Sequence, residues 1–514
     1  MAGSSNKRLA VNTVFLSMRT VLTLFISLFT TRVLMDALGV SSFGLFNLVA
    51  GIVTVFSFLQ GSMMSATLRY LTYELGAGDT DRLRRTFATS LALHGGLALI
   101  SIVLAETVGL WIVNSFIDIP AGQQLAANVV YQAAIVSVVF SIIQVPYTSA
   151  IMARERLDAY AIVMVLQAVL RLGIAYLIMI APSGRLVLYG ILYAAVSLAI
   201  FLIYGGYALR FAECRCRPRF DKGIGRSVLT FFGFDTYGTF CSAVRQQGIA
   251  VILNRFGSTV LNAAASVAFQ VNSALQSFSG TILLAFKPQI VKEYAAGNYG
   301  RSCALMNSCG KYASLLVGML MVPLYCEIDY VLELWLAGDV PAWTADFCRL
   351  CLITACFETL LGTSYSGIHA TGNVKTMSLI AGTLWLAETG MAWLALRQSA
   401  FPPIVYAVHL VVVLGVVFSN TMILRRQMPA FNVRRFWIEA ALLPSILTMV
   451  TMGACLAVRC LMSESFGRLV VLSAVSMVVM FSLAYAIDAG VRSFTTATMT
   501  KVIDKFRRHT CRTL

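Results

Sequence analysis

Charged residues are scarce in this 514-residue sequence: Asp, Glu, Lys and Arg make up 12% of it, against about 25% in soluble domains. Hydrophobic residues account for 58%. A soluble fold of this length could not bury so much apolar surface, so that class is excluded. Runs of about twenty apolar residues recur along the chain, which is the length that crosses a bilayer as a helix. Because backbone groups in lipid must be paired within their own segment, we expect every span to be helical.

Histidine is also scarce, and the twelve cysteines form no set with metal-ligand spacing. The cysteines are scattered, many of them inside apolar runs, which is typical of buried free thiols. His94, His369 and His409 stand apart from one another and indicate packing or helix-end positions. The sequence lacks a Walker loop, a hydrolase serine motif and a paired-carboxylate site, so we do not expect an enzyme.

Fourteen apolar segments are predicted to cross the membrane. The first is too long for a signal peptide and carries Arg19 inside it, which indicates a retained helix. The predicted spans are 9–34, 43–68, 86–112, 127–152, 160–181, 187–209, 227–254, 263–286, 302–325, 347–369, 376–396, 403–424, 436–458 and 468–488. The outer connection 326–346 is predicted to be a short loop without a motif.

Lys and Arg residues collect in alternate connections, which marks those connections as cytoplasmic. With both termini inside, most of the 39 Lys and Arg residues fall on the cytoplasmic side, and the net charge of +16 is mainly an orientation signal. We expect no nucleic-acid partner, because no folded domain gathers the basic residues. The clearest basic segments are the group Arg82, Arg84 and Arg85, the connection 210–226, the connection 425–435 and the C-terminal tail.

An internal repeat at an offset of about 218 residues divides the chain into two similar halves. It pairs residues 38–41 (LGVS) with 256–259 (FGST), Arg69 with Lys287, and the Ile-x-Ala sequence at 151–153 with that at 368–370. Since each half holds six spans, the repeat is predicted to be parallel. We expect bundles at 1–218 and 219–430, two added helices within 431–490 and a basic tail at 491–514.

Polar side chains inside the predicted spans are the candidate site residues, because a mid-membrane arginine is expensive unless it faces a cavity or a partner. Small polar residues on spans 1, 2 and 8 form stripes that fit either close helix packing or a wet cavity wall. For the arginines, the packing alternative is an ion pair with Glu106, Asp235 or Glu358, and the functional alternative is a cavity for an anionic headgroup. The cavity candidates are Arg19, Arg69, Arg171, Arg245, Gln270 and Lys287; the gating or coupling candidates are Asp36, Pro146 and His369.

Several short segments resemble polysaccharide flippases of the multidrug/oligosaccharidyl-lipid/polysaccharide exporter superfamily, over residues 5–430. They are residues 34–46 (LMDALGVSSFGLF), 66–70 (ATLRY), 143–147 (IQVPY), 286–290 (FKPQI) and 369–373 (HATGN). The resemblance implies a MATE-like V of two six-helix bundles in a bacterial inner membrane. It also implies an undecaprenyl-diphosphate-linked O-antigen or capsule unit as substrate, with Arg19 and Arg69 fitting the arginines that hold the diphosphate.

The resemblance further implies a polysaccharide polymerase and a chain-length regulator as partners, and surrounding lipid as a further one. Coupling would use protons, sodium ions or the membrane potential. The two added helices resemble those of the fourteen-helix lipid II flippase, which help to form a groove for the lipid tail. Two alternatives stay open: a MATE-like exporter of small molecules, which commonly needs a carboxylate in the first helix, and an integral-membrane glycosyltransferase or ligase.

Overall fold

The computed structural model describes residues 16, 18–23, 25–27, 29–30, 33–34, 36–38, 42, 46, 57–115, 123–181, 184–336, 340–399, 401–488 and 492. Over this part the chain is almost entirely helical and has no β-strand, which confirms the predicted all-α membrane fold. The helices are α1 Ser57–Ala77, α2 Thr80–Leu104, α3 Leu110–Ser115, α4 Gln124–Ile143, α5 Val145–Ala153, α6 Leu157–Ile180, α7 Arg185–Ala208, α8 Lys222–Ala295, α9 Tyr299–Cys326, α10 Ile328–Leu336, α11 Thr344–Thr371, α12 Lys375–Gln398, α13 Ile404–Gln427, α14 Val433–Phe436, α15 Leu443–Arg459 and α16 Phe466–Ile487.

Ten segments in the described part are long and apolar enough to cross a membrane. They match ten of the predicted spans to within a few residues, except that the segment at Thr80–Gly109 begins six residues before the predicted 86. Predicted spans 9–34 and 43–68 are described only in part, and α1 contains the end of the second. The division into two repeat halves with added helices stays a prediction, and of the proposed tail only Arg492 is described.

Local chemistry sets several helix ends. Asp79, Asp221 and Ser465 begin α2, α8 and α16 by accepting hydrogen bonds from backbone N–H groups of the first turn. Gly372 follows the C-terminal end of α11 and has φ +80°, the left-handed conformation that favours glycine. These residues determine where α2, α8 and α16 begin and where α11 ends.

Helix α8 is helical over all of its 74 residues, yet residues near its beginning and near its end lie close to each other. Asp235 lies beside His369 at the end of α11, and Lys287 is close enough to interact electrostatically with Asp235. In a straight helix these two α8 residues would be about 78 Å apart at 1.5 Å per residue. The helix therefore reverses between Arg245 and Ala268, and its first and second arms correspond to predicted spans 227–254 and 263–286.

The membrane side that carries Arg82, Arg84 and Arg85 is called the basic side here, and the opposite side, where α10 lies, the α10 side. On the basic side the connection between α7 and α8 is fixed by an ion pair between the exposed Arg154 and the buried Glu213, in which Arg154 donates to both carboxylate oxygens at 2.6 and 2.8 Å. The loop of basic residues predicted from sequence is thus an ordered part of the bundle, with its arginines exposed.

The last two helices, α15 and α16, pack against α9. Leu447, Met480 and Leu315 form a small buried cluster between the three. At the α10 side, Glu327 is fully buried and holds both helices, because Arg468 Nη2 lies 2.6 Å from Glu327 Oε2 and Arg459 Nε lies 3.5 Å from Glu327 Oε1. The short helix α10 follows at once, so the predicted loop 326–346 is wrong over Ile328–Leu336.

Candidate functional site

Arg69, near the basic-side end of α1, caps the end of α11. Its Nε donates to the carbonyl of His369 at 3.1 Å, and its Nη2 to that of Ala370 at 3.4 Å. The last carbonyls of a helix have no partner within it and carry partial negative charge, so a guanidinium is well placed there. Gly372 lies directly beneath the guanidinium, where a Cβ atom would overlap it. Arg69 is thus committed to the protein itself in this conformation.

Lys287 and His369, two further candidates, lie in the same group. His369 Nε2 is 3.2 Å from Asp235 Oδ1, and Lys287 Nζ is 3.5 Å from Ser65 Oγ of α1. We call Arg69, Asp235, Lys287 and His369 the basic-side cluster. It joins α1, both arms of α8 and the end of α11, so it closes the basic side of the structure. His369 is more than a packing residue, because its ring faces a carboxylate.

Arg245 belongs to a second group, the membrane network, which consists of Arg245, Glu358, Glu388 and His409. Arg245 Nη1 donates to Glu388 Oε1 at 3.0 Å and lies 3.2 Å from His409 Nδ1. His409 also faces both carboxylates, with Nδ1 3.0 Å from Glu388 Oε1 and Nε2 3.0 Å from Glu358 Oε1. The ring of Trp385 covers Arg245 at 5.2 Å. Four helical segments of α8, α11, α12 and α13 therefore meet through charged side chains.

The packing alternative from sequence, an ion pair of an arginine with Glu106, Asp235 or Glu358, is not seen in the described residues. Arg245 pairs with Glu388, which the sequence did not single out. Glu106 accepts from Gln132 instead, and Asp235 faces His369. Glu358 accepts hydrogen bonds from the second arm of α8, at the amides of Asn272 and Gln276.

Arg19 and Arg171 differ from Arg245, because neither makes an ion pair in the described part of the chain. Arg19 lies 5.9 Å from the Tyr160 ring centroid and donates to Thr20 at 3.1 Å. Arg171 lies 4.7 Å from the Tyr193 ring centroid. In each guanidinium the Nε atom is buried without a hydrogen-bond partner. Both lie inside predicted spans, and no carboxylate among the residues that the structure describes pairs with either of them.

These two arginines lie along one face of α6 and α7. Tyr160, beside Arg19, precedes Arg171 on α6 by about 16 Å at 1.5 Å per residue. Thr20 joins the Arg19 segment to α8 through a 3.1 Å contact with Thr281. Of the polar stripes predicted for spans 1 and 2, Asn12, Asn47, Gly51 and Thr54 lie outside the described residues.

Gln270 lines a cavity of about 460 Å³ between the second arm of α8, α9, α10 and α16. Its other walls are almost entirely apolar, and Trp335 of α10 stands at its edge. The cavity lies away from the membrane network and the basic-side cluster. From sequence, Gln270 and the arginines are candidates for one cavity. The cavity at Gln270 is lined by none of those arginines. The remaining lining residues are Val271, Ala274, Leu275, Phe278, Met319, Leu320, Pro323, Leu324, Leu469, Ser473 and Met477.

Of the gating candidates, Pro146 marks a local break and Asp36 lies apart. The fourth predicted span is interrupted at Gln144, and Pro146 stands in the first turn of α5, where its missing N–H is not needed. Asp36 is exposed and helical, with no ion pair among the described residues.

Sequence reasoning missed two buried charged residues. Glu388 lies in the middle of a predicted span, where any carboxylate is a signal. Lys311 lies inside predicted span 302–325 and pairs with Asp488 at the end of α16, so it is a fourth membrane-depth cation.

The fold can now be compared with known proteins. No protein-family model matches the sequence, and no curated protein matches it. Among solved structures, MATE in the bent conformation aligns with a TM-score of 0.71 at 12% identity, over 83% of this chain and 96% of that one. An outward-facing multidrug resistance MATE transporter of the MOP superfamily gives 0.67 at 11% identity, over 83% and 96%. The chain has the MATE transporter fold.

A third solved structure is also similar in fold. It is a MOP superfamily transporter from Pyrococcus furiosus, described as having a binding pocket of reverse polarity that suggests a different function. It aligns with a TM-score of 0.68 at 12% identity, over 82% of this chain and 96% of that one. At such identities the likeness is one of fold, and it confirms the predicted MATE-like architecture.

Proposed function

We propose that this protein is a flippase that moves an undecaprenyl-diphosphate-linked oligosaccharide from the cytoplasmic to the periplasmic leaflet, for O-antigen or capsule synthesis. The observation that carries the proposal is the pair Arg19 and Arg171, two membrane-depth cations with buried, unpartnered Nε atoms. A cation at that depth is costly unless an anion joins it. A diphosphate would supply that anion, and guanidinium groups suit phosphate oxygens.

The stacking of each arginine on a tyrosine supports this role. A ring held against the face of a guanidinium leaves the N–H edge free, and the edge is what binds phosphate oxygens. A diphosphate must cross about 30 Å of hydrocarbon without its water. Two cations at different heights along α6, Arg19 beside Tyr160 and Arg171 eleven residues further on, would give it successive contacts on the way.

The apolar cavity at Gln270 supports a lipid-linked substrate over a soluble one. A polyprenyl tail needs an apolar binding site, and this cavity is lined mainly by apolar side chains from α8, α9 and α16. We propose that it receives the tail while the headgroup stays with the arginines. In this proposal α16, one of the two added helices, helps to form the tail site.

Arg69 takes a different part from the one expected from sequence. Because it caps α11, we propose that it holds the basic side closed and contacts substrate only after the basic-side cluster opens. The closed basic side fits a transporter that opens to one face at a time.

A MATE-like exporter of small molecules is the competing function. Cationic drugs would be drawn to an acidic cavity, whereas predicted span 1 carries Arg19 and no carboxylate, and the exposed Asp36 lies just beyond its end. The charge pattern therefore favours an anionic substrate.

The deciding experiment is chromosomal replacement of the gene by Arg19→Ala, Arg171→Ala and Arg397→Ala in glycan-producing cells. Arg397 is the matched control, since it also stacks on an aromatic ring, Trp393 at 4.7 Å, but is exposed at a helix end. We expect the first two variants to lose surface glycan and accumulate lipid-linked intermediate at normal protein abundance. Arg397→Ala should export normally.

Arg19→Lys should rescue export only in part, because lysine keeps the charge but loses the two-pronged donor. Full glycan export by both Arg19→Ala and Arg171→Ala would refute the proposal. Loss of drug resistance with unchanged glycan would favour the small-molecule exporter.

A further inference from the structure

The membrane network contains a conflict between two donors for one atom. Nδ1 of His409 either carries a proton and donates it to Glu388 Oε1 at 3.0 Å, or accepts from Arg245 Nη1 at 3.2 Å. It cannot do both, because a ring nitrogen has a single position for a proton or a lone pair. The other ring nitrogen, Nε2, faces Glu358 at 3.0 Å and donates to it in either state.

Charge counting leads to the same conflict. Glu358 and Glu388 bring two negative charges, and Arg245 brings one positive charge. With a neutral His409 the network has a net charge of −1, and Arg245 is needed to balance Glu388. With an imidazolium the network is neutral, and His409 takes over from Arg245 as the donor to Glu388.

Burial differs across the network. The side chain of Glu388 is fully buried, whereas those of Arg245 and Glu358 are each 18% exposed. Arg245 also has an Nε atom that is buried without a partner. Arg245 is therefore the member with unused donor capacity and an opening to the outside of the network.

We propose that a proton bound at His409 frees Arg245 to bind an anionic group, so that the membrane network is a proton-switched anion site. In the unprotonated state Arg245 is held by Glu388 and His409. In the protonated state the imidazolium satisfies both carboxylates, and the guanidinium edge of Arg245 becomes available to a phosphate-like ligand. Proton and anion then favour each other's binding, as linked ligands must.

A metal cation is a poor alternative occupant. His409 turns its two nitrogens to opposite carboxylates, and no group of His, Cys, Asp or Glu side chains in the described residues converges as metal ligands would. Arginine inside the site also opposes a second cation.

The other titratable groups that face the network are Tyr406 of α13 and Cys351 of α11.

The role of this switch in transport rests on the proposed function, but the switch itself is measurable without any lipid-linked sugar. Trp385 is a built-in reporter, since its ring lies 5.2 Å from Arg245 Cζ and 5.8 Å from the His409 ring. We would titrate tryptophan fluorescence of the purified protein in detergent between pH 5 and 9. A sigmoidal change is expected in the wild type and absent from both His409→Gln and Trp385→Phe.

His94→Gln is the matched control, because His94 is also buried but bonds to the Ser90 carbonyl on α2. It should keep the full transition. If His409→Gln does not fold, Glu388→Gln carries the test: without its carboxylate acceptor the imidazolium is less stable, and the transition should move to lower pH. A transition that persists in His409→Gln, an unshifted one in Glu388→Gln, or none in the wild type would overturn the proposal.

Anion binding is tested by calorimetry with inorganic sulfate, whose charge is constant over this pH range. The wild-type affinity for sulfate should rise as the pH is lowered, by up to about tenfold per pH unit, as one linked proton requires. Arg245→Gln and His409→Gln should each remove this pH dependence. Sulfate affinity with unchanged pH dependence in these variants would overturn the proposal. Failure of the glycan-export test leaves this result intact.

Discussion

Gly372 lies so close beneath Arg69 that a Cβ atom at the glycine would overlap the guanidinium group. The arginine comes from α1 and the glycine ends α11, so the contact joins two helices that are 300 residues apart in sequence. The glycine is needed twice, for its φ of +80° and for the space above it.

Gly372→Ala is therefore expected to destabilise the protein more than an ordinary glycine replacement. Gly297 is the matched control, with φ +79° and nothing near its missing Cβ. Gly297→Ala should cost about 1 kcal/mol of backbone strain. Gly372→Ala should cost more and show a lower thermal unfolding temperature in detergent. Equal unfolding temperatures for the two variants would argue against the packing of Arg69 on α11.

Glu327 should be the residue on which the packing of α15 and α16 depends most. Glu327→Gln leaves Arg468 buried without its counter-charge, and breaking a buried ion pair in this way costs about 3–5 kcal/mol. Limited proteolysis should then cut between α15 and α16 sooner than in the wild type. Glu464→Gln removes the exposed second partner of Arg468 and should change little. Similar cleavage in both variants would contradict the anchoring role.

The buried pair of Lys311 and Asp488 predicts strong non-additivity. Lys311→Met or Asp488→Asn alone leaves one buried charge unbalanced, at about 3 kcal/mol each. The double variant removes both charges and should unfold close to the wild-type temperature. A double-variant cycle measured by thermal unfolding gives the coupling directly. Additive losses would mean that the pair is not formed.

Cysteine labelling tests the predicted orientation. Cys460 is exposed in the connection between α15 and α16, on the α10 side. In intact spheroplasts a membrane-impermeant maleimide should label the wild type and fail to label Cys460→Ser. Labelling of basic-side cysteines instead would reverse the assigned topology.

The same reagent in permeabilised cells should leave Cys214 unmodified at pH 8. Burial, and then the nearby Glu213 carboxylate, raise the pKa of the Cys214 thiol to about 12. Because the thiolate is the reactive form, the reaction should rise only as the pH approaches that value. Rapid labelling of Cys214 at pH 8 would show that the connection between α7 and α8 is open.

The sequence predicted the bounds of six helices to within a few residues, namely α6, α7, α9, α11, α12 and α13. Apolar runs of about twenty residues are stable in lipid as helices, because the backbone groups must be paired within the segment. Helix α10 was missed because nine residues are too few for a membrane signal. The reversal of α8 was predicted as the connection between spans 227–254 and 263–286, but the helical conformation of that connection was not.

The candidate site was predicted in part. Single arginines inside spans are visible in sequence because of their insertion cost. Arg19 and Arg171 make no ion pair in the described residues, which agrees with the cavity alternative and not with the packing alternative. The partner of Arg245 could not be found, because Glu388 lies 143 residues away and meets it only through the packing of α8 on α12. Two of the four residues of the basic-side cluster could be related from sequence, because the repeat paired Arg69 with Lys287.

The reversal of α8 has a consequence for how the protein is made. Asp235 and Lys287 leave the ribosome before His369 of α11 exists, and Arg245 precedes Glu388 and His409 by still more chain. These side chains therefore enter the membrane before their partners on the later helices exist. The second half of the chain can settle into its final arrangement only after α13 has been synthesised, so truncation before residue 409 should leave α8 a substrate for membrane quality control.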